Sequence, residues 1–338
     1  MKKHLISENG KFYKTNLHCH STISDGKLTP EQVKEEYLRL GYSAVAFTDH
    51  DVLIRHNDLT DENFVALNGY EMEIDLPAKI PAPYPFHREK CCHMCLVALS
   101  PSTTRQVCFH REKYLHHSTP DIINYLDYDK NLPNYERVYN HDCINEIMKT
   151  GRENGFFVTY NHPTWSGENY LDYMGYENMH AMEIYNNECV KVGVEEYNSH
   201  VYDDMLRGGK RLYCIATDDM HHQSSIGGGY IMIKADKLDY ESLTSSMLKG
   251  DFYASTGAEI KELYVEDDYL YITTAPAKMI ALSMEIMRVE RITAEENGFI
   301  TSAKFKLLEN YGYVRLTVTD LDGKKAYTNA YDVKDLLK

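Results

Sequence analysis

Two histidines separated by one residue, with an aspartate shortly after them, are the first group in the sequence that could bind a metal ion: His18, His20 and Asp25. Successive side chains of an extended strand point to opposite faces, so His18 and His20 face the same way and Cys19 faces the other. Two such imidazoles at a strand end, with a carboxylate in the next turn, can hold one divalent cation. Paired histidines also occur as ordinary polar strand residues, so the rest of the chain has to support this interpretation.

More nitrogen and oxygen donors lie at the ends of other apolar, strand-like segments. The full candidate set is His18, His20, Asp25, His50, Glu71, His93, His162, Asp219 and His221. Imidazole and carboxylate groups without thiolate suit zinc, manganese or iron. Nine donors are too many for one ion with an open coordination position, and they match two or three ions that share bridging carboxylates.

Two of these positions have a close competitor in the sequence. Glu73 lies on the same strand face as Glu71, and we favour Glu71 because it directly follows a Gly-Tyr pair. Asp218 precedes Asp219, and we favour Asp219 because of its Asp-x-His spacing to His221.

Other polar residues near the strand ends leave their roles open. Asp49 either orients the neighbouring His50 from behind or caps the strand. The glycine run at 227–229 lacks the Gly-Lys-Ser/Thr continuation of a phosphate-binding loop, which favours flexible backbone. The sequence does not choose among several cations that could bind the anionic group of a substrate: Arg88, Arg105, Arg137 and His222.

The elements that must position these donors alternate between short apolar strands and helices, which is typical of an α/β fold with a parallel sheet. Thr29, Pro30 and Gln32 form a capping-box pattern that predicts a helix start, and the apolar segment 43–47 is typical of a buried parallel strand. Further helices are predicted near 120–127, 136–154 and 190–207. We expect about seven strand-helix units, closed as a barrel that carries its chemistry on the rim at the carboxyl ends of the strands.

The character of the sequence changes near residue 257. Strand-like runs separated by turn signals follow this point, at 260–265, 269–274, 281–287, 303–308 and 313–318. We therefore predict a barrel domain over residues 1–256 and a small antiparallel, β-sandwich-like domain over 257–338. The barrel domain contains an insertion around 74–92 that is rich in cysteine and in proline, including Pro85.

Length, charge and composition exclude several classes of function. The chain has 338 residues and a net charge of −15 without any Lys/Arg-rich run, which argues against an extended nucleic-acid groove. No apolar run approaches the ~20 residues of a membrane span, and the N-terminus lacks the apolar core of a signal peptide. The eight cysteines are scattered, as expected for reduced thiols, so we predict a cytoplasmic protein without a membrane partner.

Taken together, the motifs resemble those of the PHP (polymerase and histidinol phosphatase) superfamily. The matching segments are His18-Cys19-His20 with Ser24-Asp25-Gly26, Thr48-Asp49-His50-Asp51, Gly69-Tyr70-Glu71, Asn161-His162-Pro163 and Asp219-Met220-His221. They follow the order of the family, and His93 matches its less regular histidine. The resemblance implies a distorted, TIM-like (β/α)7 barrel, and it implies that the nine donors bind two or three divalent ions, usually manganese, iron or zinc. We predict that Asp25, His93, Asp219 and His221 also act in catalysis.

Members of this superfamily mostly hydrolyse phosphoesters. We therefore expect a metal-dependent phosphoesterase for a small phosphorylated metabolite or nucleotide, in which a metal-bridging hydroxide attacks phosphorus in line. The segments at 252–257 and 318–329 are similar to the carbaryl-hydrolase-like branch, although its usual proline is Ala330 here. Some members of that branch cleave carboxylic or carbamic esters, which is the first alternative; a non-catalytic metal- or ligand-binding module is the second. The sequence does not specify an oligomeric state.

Overall fold

A computed structural model describes residues 2–83 and 87–338, so Pro85 of the predicted insertion lies outside the described residues. Twelve strands precede residue 257 in this part of the chain: β1 (Lys3–His4), β2 (Lys11–Asn16), β3 (Ala44–Phe47), β4 (Val65–Pro77), β5 (Arg88–Ala98), β6 (Arg105–Gln106), β7 (Asp127–Tyr128), β8 (Phe156–Asn161), β9 (Ala181–Asn186), β10 (Tyr213–Thr217), β11 (Tyr230–Ala235) and β12 (Phe252–Ser255).

Helices are interspersed among these strands, and more strands follow. The α-helices of the described residues are α1 (Pro30–Arg39), α2 (His141–Glu153), α3 (Tyr170–Tyr173), α4 (Asn187–Lys191), α5 (Ser199–Arg207), α6 (Tyr240–Lys249) and α7 (Val333–Leu336). The later strands are β13 (Ile260–Glu266), β14 (Tyr269–Met284), β15 (Val289–Thr293), β16 (Ile300–Lys306), β17 (Tyr313–Asp320), β18 (Lys325–Thr328) and β19 (Tyr331–Asp332). The predicted mixed α/β class is confirmed.

Seven strands pair side by side in the order β2, β3, β4, β5, β8, β9 and β10. Just beyond the last of them, Met220 forms a parallel bridge with Cys19, which follows β2. The His20 N–H donates to the Met220 carbonyl at 2.9 Å. The pairings therefore return to the strand from which they started, and we call this arrangement the strand ring.

One strand of the ring runs against the sequence-based prediction. β5 is antiparallel to both β4 and β8, so the prediction of a parallel sheet is wrong at this position. The physical reason is the short connection at 78–87, because a parallel neighbour would need a crossover of a dozen or more residues. The antiparallel register places Glu73 opposite His93.

The first helix forms as its sequence predicts. The Gln32 N–H donates to the Thr29 hydroxyl at 3.3 Å, and the Thr29 N–H donates to the Gln32 side-chain carbonyl at 3.0 Å. This reciprocal capping satisfies N–H groups that have no partner within the helix. α1 then buries Val33 and Tyr37 against β3 and its neighbours.

Two predicted helices are corrected by the structure. Residues 120–127 contain only a 3₁₀ turn, Ile122–Tyr125, and the next helix begins at His141, capped by Asn140. The single helix predicted near 190–207 is divided into α4 and α5. Gly193 breaks it with a φ of 96°, a left-handed conformation that ends a helix and that glycine adopts without strain.

The C-terminal strands surround one long strand, β14, which pairs with β13, β15, β16 and β17. The run predicted at 269–274 and residues 281–284 of the run predicted at 281–287 are parts of this strand, which ends at Met284. The turn signals that separate these runs, Asp267-Asp268, Asn297-Gly298 and Asp322-Gly323, each lie between consecutive strands. A hydrophobic cluster distinct from that of the strand ring fills this region, and Ile6 from the N-terminal segment belongs to it.

The edges of this region are continuous with the rest of the molecule. β1 pairs with β13, and β12 pairs with β18, so hydrogen bonds cross the predicted boundary at 257. Among the described residues, no helix combines the length and the apolar character needed to cross a membrane.

Candidate metal centre

The nine predicted donors lie together at one edge of the strand ring, which we call the donor rim. His18, His20 and Asp25 follow β2, His50 follows β3, Glu71 lies in β4, His93 lies in β5, His162 follows β8, and Asp219 and His221 follow β10. Seven of these residues are buried, and only Asp25 and His221 are partly exposed. Residues separated by up to 203 positions in the sequence, from His18 to His221, thus converge on one site.

The first donor group contains His18, His20 and Asp219. The Nε2 atoms of the two histidines are 3.2 Å apart. Oδ1 of Asp219 lies 3.2 Å from His18 Nε2 and 3.1 Å from His20 Nε2. Ligands of one first-row ion, each bound at about 2.0–2.2 Å, are separated by about this distance.

The carboxylate of Glu71 lies at the centre of the donor rim. Its Oε1 is 3.1 Å from His18 Nε2, 3.1 Å from His93 Nδ1 and 3.2 Å from His162 Nε2. Its Oε2 is 3.4 Å from His20 Nε2 and 3.3 Å from His50 Nδ1. A carboxylate with histidines beside both oxygens has the geometry of a bridging ligand between ions.

The ionisation of Glu71 reflects these neighbours. Burial by itself raises the pKa of this carboxyl, but the imidazoles of His18 and His93 offset burial, so its pKa lies well below the ordinary value. Asp219 behaves in the same way: burial opposes ionisation, and His18 and His20 lower the pKa of its carboxyl far below the usual range. Positive charge at the donor rim is thus required to keep both carboxylates ionised.

A further donor group forms around Asp25. Its Oδ1 lies 3.5 Å from His221 Nε2 and 3.8 Å from His20 Nδ1, and its Oδ2 lies 3.8 Å from His50 Nε2. One donor atom from each of these four residues falls within 4.8 Å of every other. This group faces the solvent side of the donor rim.

Buried polar atoms without a hydrogen-bond partner test whether these residues fit metal ions. Among the described residues, four such atoms belong to the donor rim: His20 Nδ1, His50 Nδ1, His93 Nε2 and Asp219 Oδ1. Buried polar groups are almost always hydrogen-bonded in folded proteins, so a cluster of exceptions requires another partner. Nitrogen and oxygen donors that lack hydrogen bonds and lie at ligand spacing fit bound divalent cations.

The backbone at two of the candidate ligands is strained. His162 has a φ of 24° and Asp219 has a φ of 51°. Both values lie in the left-handed region, which residues other than glycine adopt only at an energetic cost. Such outliers persist only where the surrounding structure fixes them, and they concentrate at functional sites. Here the strain turns both side chains toward Glu71 and His18.

Glu183, in β9, is a buried residue of the site that the sequence analysis missed. Its Oε1 lies 2.7 Å from His18 Nδ1 and accepts the Thr217 hydroxyl at 2.7 Å. Its Oε2 accepts the His162 N–H at 3.0 Å. A carboxylate behind an imidazole fixes which nitrogen faces the metal, and here it leaves His18 Nε2 facing the centre. The sequence contained one signal for Glu183, because it is a charged residue within the apolar run 182–185.

Asp49 supports the loop after β2. Its Oδ1 accepts the N–H groups of Ser21 and Ser24 at 2.7 and 3.1 Å, and its two oxygens accept the hydroxyls of both serines at 2.8 and 2.7 Å. These bonds fix the turn that carries Asp25. The sequence left two roles open for Asp49, orienting His50 or capping the strand. Neither role matches these contacts, because Asp49 orients a loop between ligands.

Asp218 has a separate role from its neighbour Asp219. Its carboxylate accepts the N–H groups of Gly227, Gly228 and Gly229 at 2.9, 2.8 and 2.9 Å. The prediction that this glycine run is flexible backbone is therefore wrong. Close approach explains the glycines, since a Cβ on Gly229 would lie 2.2 Å from the Thr217 carbonyl oxygen.

Glu73 and His117 extend the donor rim outward. Glu73 is buried, and its Oε2 lies 3.6 Å from His93 Nε2. His117, which the sequence analysis did not identify, has its Nδ1 3.5 Å from Asp25 Oδ2. Its ring stacks on that of His50, with centroids 4.4 Å apart. No sequence motif contains His117, because it lies in a long connection with only short strands and a 3₁₀ turn.

An open cavity of about 270 Å³ leads from the solvent to the donor rim. Besides most of the candidate ligands, its walls contain Glu73, Arg88, His117, Trp165, Glu188, Cys189, Val192 and His222. The Trp165 ring contacts His162 edge-on, with centroids 5.0 Å apart, and is 38% exposed. One aromatic side chain therefore stands between the candidate ligands and the solvent.

The structure separates the four cations among which the sequence did not choose. Arg88 lines the cavity but pairs with Glu73 and Asp75 at 3.3 and 3.1 Å. The Arg137 side chain is 3% exposed and pairs with the Asp51 carboxylate at 2.6 Å. Arg105 lines a different cavity, whereas His222 lines the one at the donor rim.

The comparison with family models supports the resemblance seen in the sequence. Residues 16–80 match the model of the PHP domain, and this span contains five of the nine candidate ligands. The predicted resemblance to PHP proteins is therefore confirmed. None of the curated proteins matches the chain.

Several solved structures are similar at low identity. A two-domain protein of Bacteroides vulgatus, described as containing a "predicted PHP-like metal-dependent phosphoesterase", is 15% identical over 97% of this chain and 98% of its own, with a TM-score of 0.45. An amidohydrolase of Chromobacterium violaceum with bound sulfate and no metal is 18% identical over 62% of this chain and 87% of its own, with a TM-score of 0.36. A lesion-specific endonuclease of Pyrococcus furiosus is 16% identical over 70% of this chain and 56% of its own, with a TM-score of 0.42. Because these similarities are distant, we transfer no ligand or substrate from them.

Proposed function

We propose that this protein is a metal-dependent hydrolase, and specifically a phosphoesterase for a small phosphorylated metabolite or nucleotide. One observation carries the proposal: the buried carboxylate of Glu71 has five imidazoles beside its two oxygens, at 3.1 to 3.4 Å. Hydrogen bonds alone do not account for this arrangement, because His50 Nδ1 beside Glu71 and three further polar atoms of the donor rim lack hydrogen-bond partners. Divalent cations would supply a partner for Asp219 Oδ1 and for the nitrogens that face them.

We assign the donors to three positions that share Glu71. His18, His20 and Asp219 would hold one ion, and Asp25, His50 and His221 a second. His93 and His162, both beside Glu71 Oε1, would hold a third. The identity of the metal, whether manganese, iron or zinc, is not decided by these distances.

The charge of the cavity supports both the ions and an anionic substrate. Its walls contain the carboxylates of Asp25, Glu71, Glu73, Glu188 and Asp219 but only one guanidinium, that of Arg88, which gives a formal charge of −4. A phosphate ester would be repelled from such a cavity. Two or three divalent ions contribute +4 to +6, which removes the repulsion and makes the cavity neutral or positive.

The chemistry of hydrolysis follows from this arrangement. Bound divalent ions supply a Lewis acid for the phosphoryl oxygens and lower the pKa of water toward neutrality. The protein holds the donors rigidly: Glu183 fixes His18, and Asp49 fixes the loop of Asp25. Trp165 and Val192 provide apolar surface that would contact the organic part of the substrate.

We also propose that the strand ring is the expected (β/α)7 barrel, contained in residues 1–256, and that residues 257–338 form the β-sandwich-like unit. The pairings that return to β2 support the first part, and the separate hydrophobic cluster supports the second. The eight unpaired thiols suit a reducing compartment, which supports the cytoplasm as its location.

Turnover of model esters after controlled metal loading tests the proposed activity. The protein is stripped with a chelator, reloaded with Mn²⁺ and assayed on 4-nitrophenyl phosphate, bis(4-nitrophenyl) phosphate and 4-nitrophenyl acetate. We expect Mn²⁺-dependent hydrolysis of a phosphate ester. Asp219→Asn should reduce it more than about 100-fold, since it removes an anionic donor of the centre.

The exposed turn residue Asp322 provides the matched control, and Asp322→Asn should leave turnover unchanged. Hydrolysis of the acetate alone would replace the phosphoesterase by a carboxylic ester hydrolase. Full activity of Asp219→Asn would contradict the site, and no turnover of any ester by metal-loaded protein would favour a binding module.

A further inference from the structure

The reversed strand β5 gives the chain an unusual path. Because β5 runs antiparallel to its neighbours, it ends at the edge of the strand ring opposite to the donor rim. There the Leu99 N–H donates to the Gly155 carbonyl at 2.9 Å, immediately before β8 begins. The connection from β5 to α2, residues 99–140, then returns to the donor rim. We call it the return segment.

Specific contacts hold the return segment at the donor rim. The Gln106 side chain accepts the Leu53 N–H at 3.0 Å and donates to the Asp51 carbonyl at 2.6 Å. Arg137 pairs with the Asp51 carboxylate at 2.6 Å and donates to the Glu73 carbonyl at 2.9 Å. Asp51 directly follows His50, so the return segment is anchored next to a candidate ligand.

His117 is the residue of this segment that reaches the donors. Its Nδ1 lies 3.5 Å from Asp25 Oδ2, and its Nε2 lies 3.8 Å from Glu73 Oε1. Its side chain is only 15% exposed. The imidazole therefore lies between two carboxylates, one of them a candidate ligand and the other not.

The spacing of the Asp25 group explains why this position matters. Its carboxylate oxygens lie 3.5 to 3.8 Å from nitrogens of His221, His20 and His50. The Nδ1 of His117 lies within the same range. Its distance from Asp25 is thus like theirs, although it comes from outside the strand ring, and one of its nitrogens also lies within 4.8 Å of donor atoms of His50 and Glu73.

Glu73 is held in the position needed to support this imidazole. Its Oε1 lies 3.0 Å from His116 Nε2, and its Oε2 lies 3.3 Å from Arg88 Nη1. A carboxylate behind a metal-bound histidine accepts the proton of the nitrogen that does not bind the metal. Glu73 would do this for His117 Nε2, as Glu183 does at His18 Nδ1.

We propose that His117 is an additional ligand, through Nδ1, of the ion at the Asp25, His50 and His221 position, and that Glu73 orients it. This inference rests on the proposed metal centre and deepens it. The outer ion would then be bound by the strand ring and the return segment together. Its occupancy and the order of the return segment would depend on each other.

Metal binding by His117→Ala tests the assignment without relying on activity. Wild type and variant are stripped and titrated with Mn²⁺ by calorimetry, and bound metal is counted by mass spectrometry after dialysis. We expect the affinity for one ion to fall about 10–100-fold, or that ion to be lost, while the other ions bind as before. Co²⁺ substitution should show altered d–d absorption, because one nitrogen ligand is removed.

Tyr125→Ala, in the same return segment, is the control. Tyr125 is 72% exposed and lines a different cavity from that of the donor rim. We expect its metal affinities to stay within about 3-fold of wild type, with an unchanged Co²⁺ spectrum. His117→Gln, which keeps side-chain volume without an imidazole, replaces the alanine variant if that variant fails to fold.

The outcomes separate this inference from the proposed function. Wild-type affinities and an unchanged Co²⁺ spectrum in both His117 variants would overturn the role of His117 and leave the centre intact. An equal loss in Tyr125→Ala would also overturn it, because the effect would then reflect general disturbance of the segment. Failure of the wild type to bind any divalent ion would instead remove the proposed metal centre.

Discussion

Two carboxyl groups with little access to solvent, Glu71 in the donor rim and Glu168 in the loop after β8, have opposite surroundings. Glu71 lies among imidazoles. Glu168 accepts hydroxyl hydrogen bonds from Tyr139 at 2.7 Å, from Tyr160 at 2.6 Å and from Tyr176, an arrangement that we call the tyrosine cluster. Burial raises the pKa of Glu168 to about 7 although these hydroxyls lower it, whereas the pKa of Glu71 lies well below its ordinary value.

The contrast shows that neutral hydrogen-bond donors do not replace positive charge. Three hydroxyls leave Glu168 able to keep a proton near neutral pH, because their dipoles only partly offset burial. The imidazoles around Glu71 keep that carboxyl ionised only if they carry protons or if cations are bound among them. Burial therefore suits the tyrosine cluster to holding a proton and the donor rim to holding metal ions.

The largest effect is expected from comparing the same substitution in the two regions. Glu71→Gln removes the bridging charge and should lower both bound metal and ester turnover, the latter more than about 100-fold. Glu168→Gln should keep wild-type metal content and turnover, because its carboxylate contacts tyrosines. Metal analysis of dialysed proteins and steady-state assays measure both. Equal metal loss in the two variants would contradict the conclusion that the donor rim binds metal and the tyrosine cluster does not.

The next effect concerns the stability of the folded state. The pKa of Glu168 in the folded protein, about 7, lies above its ordinary value of 4.5, so the folded state binds this proton more tightly than the unfolded state does. Wild type should therefore lose stability as the pH rises from about 5 to 8, by about 2 kcal/mol relative to Glu168→Gln. Urea unfolding of both proteins at several pH values measures this difference. Parallel pH profiles would show that Glu168 is ionised throughout.

A smaller effect is expected at the carboxylate behind His18. Glu183→Gln keeps the size of the side chain but removes the anion that orients the imidazole, so metal affinity should fall about 10–100-fold. Calorimetric titration with Mn²⁺ measures it, and Thr217→Ser, which keeps the hydroxyl donated to Glu183, serves as the control. A change in metal affinity below about 3-fold would show that Glu183, like Glu168, has no influence on metal binding.

Sequence reasoning reached those parts of the molecule that local pattern determines. The capping box at Thr29 and Gln32 acts within four residues, and it formed as predicted. The candidate ligands were found because each lies in or just after an apolar strand, and in parallel folds such ends meet at one edge. The resemblance to PHP proteins added the order in which these ends follow one another.

The remaining features depend on contacts between distant residues. The direction of β5 is set by the length of a connection rather than by residue type, and α4 and α5 are separated by a single left-handed glycine. Glu183 and His117 have roles only through partners 165 and 92 positions away, His18 and Asp25. The immediate sequence of His117 does not distinguish it from other polar residues, and that of Glu183 shows only a charged residue within an apolar run.

The bridge between Cys19 and Met220, which returns the strand pairing to its start, has a consequence for the synthesis of the protein. His18 and His20 leave the ribosome about 200 residues before Asp219 and His221. At a translation rate of about 5–20 residues per second, roughly 10–40 s pass between the synthesis of the two histidines and that of Asp219, whose carboxylate completes their group. During translation this strand end therefore lacks its Met220 partner, and the group of His18, His20 and Asp219 can be completed only after the chain beyond β10 has emerged.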